Sequence, residues 1–418
     1  MAKILIYDEF GPEDSAMMQA LYSRSPQSVT EHIEKVKQAG SGKFMEQFYV
    51  GYGHMSIADC GSTTIFIEGV SILADKAIQD WPLYAGQETS TRYINMAAQA
   101  MIDPVGAAAS NRILERWMDF YIKSQPAAAE HLKQKYPKKP EEDERVYEKA
   151  IKARTFDSLR GFLPAGITTQ LSRHTNLRQA WDKLCWMKHH PLNEISETAQ
   201  GIFKELKKKY ANSFSHKFYD EREKYYKFVM SDYYFFPGKP AKFKCGTNID
   251  VKKLNKYKNI FEARPPKTNL PHFLTELGSV TFDFLLDFGS FRDIQRHRNG
   301  VCRMPLLTTG LGFNEWYLEQ LPAALRKKAD KLIKEQISAI KKLKAKPEIL
   351  QYYIAMGFNV ACRVSYGLPA AVYVVELRSG KTVHPTLRKI AQKMRCSLTE
   401  LFPKLKQHCD LESDDWDI

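Results

Sequence analysis

Alternating apolar and polar positions in the second half of the chain predict a strand that leads into a short helix. Phe282 and Phe284 alternate with polar residues within 280–286, which is the period of a half-buried strand. A short helix follows and ends at three consecutive basic side chains, Arg296-His297-Arg298. The pattern therefore predicts a strand, a helix and a basic cluster in direct succession.

The first half contains a similar strand and helix, and helical periodicity dominates elsewhere. Apolar runs at 4–7 and 64–67 predict two further strands. In the longer segments, apolar residues recur every three or four positions between Gly and Pro breaks, as in amphipathic helices. The predicted helices span 12–23, 29–40, 44–50, 72–79, 109–124, 141–159, 168–187, 194–210, 321–343, 370–377 and 387–394.

A Lys- and Pro-rich stretch, 234–269, divides the chain. It contains four prolines and has no clear apolar period. A chain of 418 residues also exceeds the size of an ordinary single core. We therefore predict two domains, residues 1–235 and 270–418, joined by a connector at 236–269.

The two halves repeat the same features in the same order. The intervals 66–79 and 282–295 are equally long, and both read as a strand and then a helix that ends in Ile-Gln. Each half later has a Leu-Pro break, a helix and a His-Pro pair, the latter at His190 and His384. This order predicts an internal duplication.

Composition narrows the class of protein. The 44% apolar content supports a packed interior, and the net charge of +14 suits anionic partners such as nucleotides or nucleic acid. The seven cysteines are scattered without a Cys-x-x-Cys pair, which favours a reducing compartment, the cytoplasm. No apolar run has membrane-spanning length, and residues 1–7 are not typical of a signal peptide.

The basic triplet allows two interpretations on its own. Lys and Arg are common in the last turn of a helix, where they face water. Fixed guanidinium donors after a strand and a helix also suit the binding of phosphate. The residues around the triplet and its counterpart in the first half decide between these interpretations.

The chain resembles the flavin-dependent thymidylate synthases, the ThyX family, whose signature is Arg-His-Arg, seven residues and then Ser. Here the signature is divided between the halves. The second half has Arg296-His297-Arg298 but Leu306 in place of the Ser. The first half has Asp80-Trp81-Pro82 in place of the triplet but keeps Ser90. This serine lies within 87–93, Gln-Glu-Thr-Ser-Thr-Arg-Tyr, which we call the Ser/Arg loop.

Further motifs carry the same resemblance. Gly53-His54-Met55-Ser56 is similar to the family's Gly-His-x-Ser/Thr segment, and Arg160 stands before Leu163-Pro164 as the family's nucleotide-binding Arg does. Asn176-Leu177-Arg178 is similar to a flavin-facing Asn-x-Arg, and Arg378 to a late Arg that faces the pyrimidine.

The resemblance implies the residues of the site. It assigns catalytic roles to Arg378, at the carbonyl edge of uracil, and to His54, on the folate side, and it implies no metal. It implies flavin contacts from Ser56, Asn176, Arg178, Arg296, His297 and Arg298. It implies that dUMP is bound by Gln87, Glu88, Ser90, Thr91, Arg92, Arg160, Arg296 and Arg378.

The resemblance also implies a fold, an assembly and an activity. The fold would be α+β, with two ThyX-like repeats that form a pseudo-dimer, each a mainly antiparallel sheet packed with long helices. Two chains would form a homodimer shaped like the family's tetramer. The activity would be the reductive methylation of dUMP to dTMP with FAD, methylenetetrahydrofolate and NADPH.

Three departures from the family keep two alternatives open. Asp293 stands where the family often has a Gln that helps to bind the pyrimidine, Asp182 replaces an Asn near the flavin, and Gln87 replaces an Asn. One alternative is the same chemistry on another uracil, in a nucleotide or in nucleic acid. The other is a homologue that binds flavin or nucleotide without catalysis.

Overall fold

The computed structural model describes residues 9–25, 28–92, 94–236 and 243–411. The strand predicted at 4–7 and Tyr93 of the Ser/Arg loop lie outside these ranges. The described chain combines many helices with two small sheets, so the predicted α+β class is confirmed. Within these ranges no helix is both long and apolar enough to cross a membrane.

The strands are short, and the helices vary from single turns to a helix of 28 residues. The strands are β1 (Ser62–Ser71), β2 (Thr168–Asn176), β3 (Phe243–Thr247), β4 (Ser279–Asp287), β5 (Gly300–Cys302) and β6 (Asn359–Gly367). The helices are α1 (Pro12–Tyr22), α2 (Val29–Ala39), α3 (Gly42–Phe44), α4 (Met55–Ala58), α5 (Ile72–Gln79), α6 (Ala108–Lys135), α7 (Glu144–Leu159), α8 (Leu177–Met187), α9 (Asn193–Lys209), α10 (Asp220–Ser231), α11 (Val251–Leu254), α12 (Lys258–Ala263), α13 (Phe288–Ile294), α14 (Glu315–Glu319), α15 (Ala323–Lys342), α16 (Pro347–Leu350), α17 (Leu368–Arg378) and α18 (Pro385–Leu401).

The chain divides into two compact units. Unit 1 consists of Met1–Val70, Ala77–Glu88 and Gln170–Asp232. Unit 2 consists of Ser71–Lys76, Thr89–Thr169 and Tyr233–Ile418. Unit 2 therefore combines segments from both halves of the sequence, and the boundaries of the predicted repeats at 1–235 and 270–418 stay a prediction.

Unit 2 is built on a four-stranded antiparallel sheet in the order β3-β4-β6-β5. β4 shows the expected alternation, because Val280, Phe282, Phe284 and Leu286 are buried and the residues between them are half-buried. Phe282 lies opposite Val364 of β6. The period of two in the sequence therefore does correspond to one packed face of the sheet.

Polar side chains determine where helices α13 and α8 begin. Asp287 accepts a hydrogen bond from the backbone N–H of Ser290 at 2.8 Å and so begins α13. Asn176 accepts from the N–H of Gln179 and begins α8. Such caps satisfy backbone donors that have no partner within the helix, which places the first turn of each helix firmly.

Two predictions from periodicity differ from the structure. The segment 168–187, predicted as one helix, is strand β2 up to Asn176 and helix α8 after it. Three threonines and an alternating burial pattern favour the strand, and pairing with β1 outweighs the helical period of the apolar residues. The connector, predicted without a clear period, contributes β3, which pairs with β4.

The two halves share one order of elements. In the first half, β1 and α5 are followed by α6, α7, a 3-10 turn at Arg160–Phe162, β2, α8 and α9. In the second half, β4 and α13 are followed later by α15, α16, a 3-10 turn at Gln351–Tyr353, β6, α17 and α18. This order fits a two-repeat α+β arrangement.

The segments after the two 3-10 turns pair with each other inside unit 2. Pro164 lies opposite Ala355 in an antiparallel bridge. The N–H of Ala165 donates to the carbonyl of Ile354, and the N–H of Met356 donates to the carbonyl of Leu163, both at 2.9 Å. Exchanging the two halves of the sequence turns one of these hydrogen bonds into the other. An approximate twofold axis through the bridge requires this pattern.

Candidate functional site

The basic triplet follows α13 and precedes β5. Arg296 points outward, with 44% of its side chain exposed, and its Nε lies 3.8 Å from the carboxylate of Asp293. His297 is buried. Arg298 is half-buried and donates a hydrogen bond to the carbonyl of Arg296 at 3.1 Å. The three side chains therefore have different surroundings, although they are consecutive.

His297 is held neutral beside Arg378. Arg378, the last residue of α17, donates from Nε to His297 Nε2 at 2.7 Å and from its amino group to the carbonyl of Asp293 at 2.9 Å. Burial, and after it the charge of Arg378, lower the pKa of His297 to about 3. The triplet therefore carries two positive charges near neutral pH, and His297 acts as an acceptor.

From Thr89 onward, the Ser/Arg loop of the first half belongs to unit 2, as the triplet does. The Ser90 hydroxyl accepts a hydrogen bond from the N–H of Arg92 at 3.3 Å. The guanidinium of Arg92 binds the carboxylate of Asp157 at 2.9 Å and the carbonyl of Thr382 at 3.0 Å. The loop is thereby fixed to α7 and to the segment before α18.

Helix α13 is bonded to the same loop and to Arg160. Arg292 donates to the hydroxyl of Thr91 at 3.1 Å, and Arg160 donates to the hydroxyl of Ser290 at 2.9 Å. Arg160 also lies 3.3 Å from the carboxylate of Asp157. Residues that are far apart in the sequence, from the Ser/Arg loop and from the helix before the triplet, are therefore directly bonded.

A buried polar network supports these contacts. The Ser290 hydroxyl lies 3.1 Å from His384 Nδ1 and 2.7 Å from the Thr386 hydroxyl, and Tyr317 donates to Asp287 at 2.7 Å. All five side chains are buried. Burial lowers the pKa of His384 far below its usual value, and the nearby Arg160 and Arg92 lower it further. His384 is therefore neutral, and its ring nitrogen begins α18 as an acceptor.

Asp293 lies one helical turn before Arg296 of the triplet and pairs with it. Burial raises the pKa of its carboxyl, but four guanidiniums outweigh burial and hold the pKa below its usual range. In order of effect they belong to Arg378, Arg160, Arg296 and Arg92. Arginines from both halves of the sequence therefore favour the ionised form of this carboxylate. With Asp157 paired to Arg92 and Arg160, positive charge exceeds negative charge in this cluster, which suits an anion.

The other predicted residues lie in unit 1. Asp59 accepts hydrogen bonds from Asn176 at 3.1 Å and from Arg178 at 2.7 Å, and Arg178 lies 3.6 Å from Asp182. In this cluster, the guanidinium of Arg178 and the side-chain amide of Asn176 are held by carboxylates. Arg178 is thus neutralised by its own surroundings.

Four more predicted residues of unit 1 have separate contacts. His54 stacks against Phe48 and Tyr52, with ring centroids 6.4 and 6.1 Å apart. Ser56 accepts through its carbonyl from the thiol of Cys60. The N–H of Gln87 donates to the hydroxyl of Ser172, and the carbonyl of Gln87 accepts from the N–H of Ser172. Glu88 accepts from Gln79 at 2.6 Å.

Sequence reasoning missed the buried partners of the site. Arg292 stands one helical turn before Arg296 in a mostly apolar helix, and no motif singles it out. Asp157 precedes Arg160 by one helical turn, a spacing that favours ion pairs and could have pointed to it. Ser290, Tyr317 and Thr386 carry no pattern that would single them out.

We expect unit 2 to lose stability as the pH falls below about 6.5, the ordinary pKa of histidine. Because burial keeps the folded pKa of His384 and His297 low, the unfolded chain takes up protons first. The stabilisation is complete above pH 6.5 and falls by up to about 1.4 kcal/mol per pH unit for each histidine as the pH decreases.

Urea unfolding between pH 8 and pH 5 measures this loss. The variant His384→Asn keeps an acceptor at the start of α18 and cannot be protonated, so its stability should depend less on pH than that of the wild type. His272→Gln changes an exposed histidine and serves as the control. A pH profile that is the same in all three proteins would contradict the assignment.

The chain is similar to one protein family and to several relatives. Residues 5–210 match the family model Thy1, described as thymidylate synthase complementing protein. A UPF0159 protein of Chlamydia muridarum is 23% identical over 87% of this chain and 79% of its own length. Similar proteins of Chlamydia pneumoniae (22%, covering 88% and 81%) and Thermoplasma acidophilum (22%, covering 94% of each) also match.

Proposed function

Because residues 5–210 are a domain of the Thy1 family of thymidylate synthase complementing proteins, the ThyX family, we propose that this chain is a flavin-dependent thymidylate synthase. It would convert dUMP to dTMP with methylenetetrahydrofolate and NADPH. The observation that carries the proposal is the bonding of the Ser/Arg loop and Arg160 to α13, through Arg292 and Ser290. Thr91 follows Ser90 directly and Arg292 lies one helical turn before the triplet, so residues next to the two parts of the family's signature are bonded in unit 2.

The phosphate of dUMP would bind at the Ser/Arg loop. Ser90, the backbone of Thr91 and Arg92 offer hydroxyl, N–H and guanidinium donors, and 15% of the Arg92 side chain is exposed. Arg160 is only 2% exposed and bonds Asp157 and Ser290. We therefore propose that Arg160 positions Arg92 and α13, and that Arg92 makes the direct contact.

The uracil ring would lie against Arg378. Its guanidinium is already oriented by His297 and by the carbonyl of Asp293, so it needs no rearrangement to meet a carbonyl edge. A fixed cation at this edge stabilises the negative charge that develops on the ring as C5 becomes nucleophilic. Arg296, which is exposed, would reach from the nucleotide towards the flavin.

The residues of unit 2 fit the anionic part of FAD better than those of unit 1. Arg296 and Arg298 offer guanidinium donors for a pyrophosphate. Asn176 and Arg178 are tied to Asp59 and Asp182, whose charge opposes phosphate, so we propose that they contact the ring or ribityl chain. When bound and reduced, FAD supplies the hydride of the reaction. His54 and Ser56 would lie on the folate side.

The assembly we propose follows from the repeats. One chain would supply two copies of the family's architecture, and a homodimer would reproduce the shape of its tetramer. Gln87 and Glu88 would complete the nucleotide loop. The activity would be cytoplasmic, where NADPH and folate are available.

An absorbance spectrum of the purified protein, with and without dUMP and NADPH, tests the proposal. We expect bound flavin, a change in its spectrum on addition of dUMP, and formation of dTMP once methylenetetrahydrofolate is present. Arg296→Ala should reduce flavin content, whereas Arg363→Ala, which removes an exposed arginine of the same unit, should leave it unchanged. A colourless protein that does not bind dUMP refutes the proposal.

The same experiment distinguishes an active enzyme from a homologue that only binds its ligands. A yellow protein that binds dUMP but neither oxidises NADPH nor forms dTMP would be a binding homologue without catalysis. Turnover of uracil in an oligonucleotide, without turnover of free dUMP, would instead indicate a nucleic-acid substrate, whose binding should weaken steeply with salt.

A further inference from the structure

Arg378 is the last residue of α17, and the last turn of a helix depends on contacts from other segments. The final carbonyls of a helix have no N–H partner within it. Here the hydroxyl of Ser379 donates to the carbonyl of Glu376 at 3.0 Å, and Arg388 donates to the carbonyl of Ser379 at 2.9 Å. The turn that carries Arg378 is therefore bonded to residues that follow the helix.

A buried ion pair joins Glu376 of this turn to Arg264 of the connector. Two guanidinium nitrogens of Arg264 donate to the two carboxylate oxygens of Glu376, at 2.5 and 3.0 Å. Only 3% of the Arg264 side chain and 14% of the Glu376 side chain are exposed. A bidentate pair fixes orientation as well as distance, so it attaches the connector firmly to the end of α17. We call Arg264 and Glu376 the α17 clamp.

The segment after α18 is bonded to the same pair. The N–H of His408 donates to the carboxylate of Glu376 at 2.8 Å, and the Nε2 atom of His408 lies 3.0 Å from the carbonyl of Arg264. Arg264 also donates to the carbonyls of Thr268, at 2.7 Å, and Lys406, at 3.0 Å. Three segments that are far apart in the sequence are thus joined at the clamp.

The α17 clamp and the side chain of Arg378 lie on opposite sides of the helix. Two positions along an α-helix correspond to a rotation of about 200°. On its own side, Arg378 donates to His297 at 2.7 Å and to the carbonyl of Asp293 at 2.9 Å. The last turn is therefore held from both sides. Without the clamp, a small rotation or unwinding of this turn would displace the guanidinium.

We infer that Arg264 and Glu376 are positioning residues, which hold the last turn of α17 so that Arg378 keeps its hydrogen bonds to His297 and Asp293. Their part in catalysis rests on the proposed function, in which Arg378 meets the uracil ring. The connector thereby contributes to the site through Arg264, which acts on the substrate only by way of Arg378.

The test removes the clamp without leaving a buried charge. In the variant with both Arg264→Met and Glu376→Met, apolar side chains replace the ion pair, a change that buried pairs often tolerate. Arg264→Lys keeps the positive charge but loses the planar fork, and it carries the test if the double variant does not fold. The matched control, Arg363→Met with Asp283→Met, removes an exposed ion pair of the same unit.

NMR of ¹⁵N-labelled histidine at pH 8 reports on Arg378 without any turnover. The signal of His297 Nε2, assigned by its absence in His297→Asn, depends on the hydrogen bond from Arg378 and should shift in Arg378→Ala. We expect the clamp variants to shift it in the same direction and the control to leave it in place. An unchanged signal in the folded clamp variants overturns the inference.

The rate of dTMP formation shows whether the clamp acts through Arg378. We expect kcat of the double variant to fall by about tenfold to a hundredfold at unchanged flavin content, because a misplaced catalytic group slows a reaction steeply. In the background of Arg378→Ala, removal of the clamp should lower kcat by less than about twofold further, since both changes affect one group. An equal loss in both backgrounds would mean that the clamp does not act through Arg378, and the inference would be wrong.

The two measurements separate this inference from the proposed function. If the wild type forms no dTMP, the proposed function fails. A shift of the His297 signal in the clamp variants would then still support the positioning of Arg378, whereas an unchanged signal would contradict it.

Discussion

Replacing Arg160 by Ala should lower the free energy of unfolding of unit 2 by about 3–5 kcal/mol, the usual cost of removing one partner of a buried ion pair. Arg160 is 2% exposed and lies 3.3 Å from Asp157, which is fully buried. Burial lowers the pKa of Arg160, but Tyr317 and three neighbouring aspartates outweigh it, so the guanidinium stays charged. Its loss leaves the hydroxyl of Ser290 without this donor and Asp157 with less positive charge beside it.

Urea unfolding measures the effect, and a double variant identifies its cause. If the cost comes from the uncompensated charge of Asp157, the variant with both Arg160→Ala and Asp157→Ala should be more stable than the sum of the single effects predicts. Arg363→Ala removes an exposed ion pair to Asp283 and should cost at most about 1 kcal/mol. Equal losses from Arg160→Ala and Arg363→Ala would contradict a buried structural role.

Sequence patterns predicted the elements around the site well, because the features they rely on are local. The strand at 280–286 and the helix after it follow from a period of two and then an apolar segment, and the structure has β4 and α13 there. The ThyX resemblance, drawn from short motifs, is confirmed over residues 5–210. Motifs and short periods are properties of neighbouring residues, which a sequence displays directly.

The features that could not be predicted from the sequence depend on contacts between residues that are far apart in it. β2 is a strand because β1 pairs with it, although its apolar residues also match a helical period. The sequence shows His297 as one of three consecutive basic side chains. Its neutrality depends on Arg378, which is 81 positions away in the sequence and 2.7 Å away in space.

In the candidate site, too, motifs identify some residues, and contacts between distant segments identify the others. Ser90, Arg92 and Arg296 were found as remnants of one signature, and all of them lie in unit 2. The residues that join them are Arg292, Ser290 and Asp157, which are buried and have no motif of their own. Binding residues can thus be found by resemblance, whereas the network that positions them becomes visible only when the contacts are known. The roles assigned to the site residues stay predictions.

Replacing Arg378 by Ala should reduce the rate of dTMP formation by about 10²–10³, the usual cost of losing one fixed donor that stabilises developing charge. Arg378 is held by two hydrogen bonds, to His297 and to the carbonyl of Asp293, so its guanidinium is aimed before the substrate arrives. Arg378→Lys keeps the charge but loses the planar fork, and it should recover only a small part of the rate.

The kinetic constants distinguish a role in the reaction from a role in the scaffold. If Arg378 stabilises charge on the uracil ring, kcat falls with little change in KM, because the interaction strengthens in the transition state. If it only holds His297 and the end of α13, flavin content and the melting temperature fall, and the rate per bound flavin is preserved. Arg363→Ala should match the wild type in all of these measurements. A kcat within about tenfold of the wild type in Arg378→Ala would remove Arg378 from the proposed mechanism.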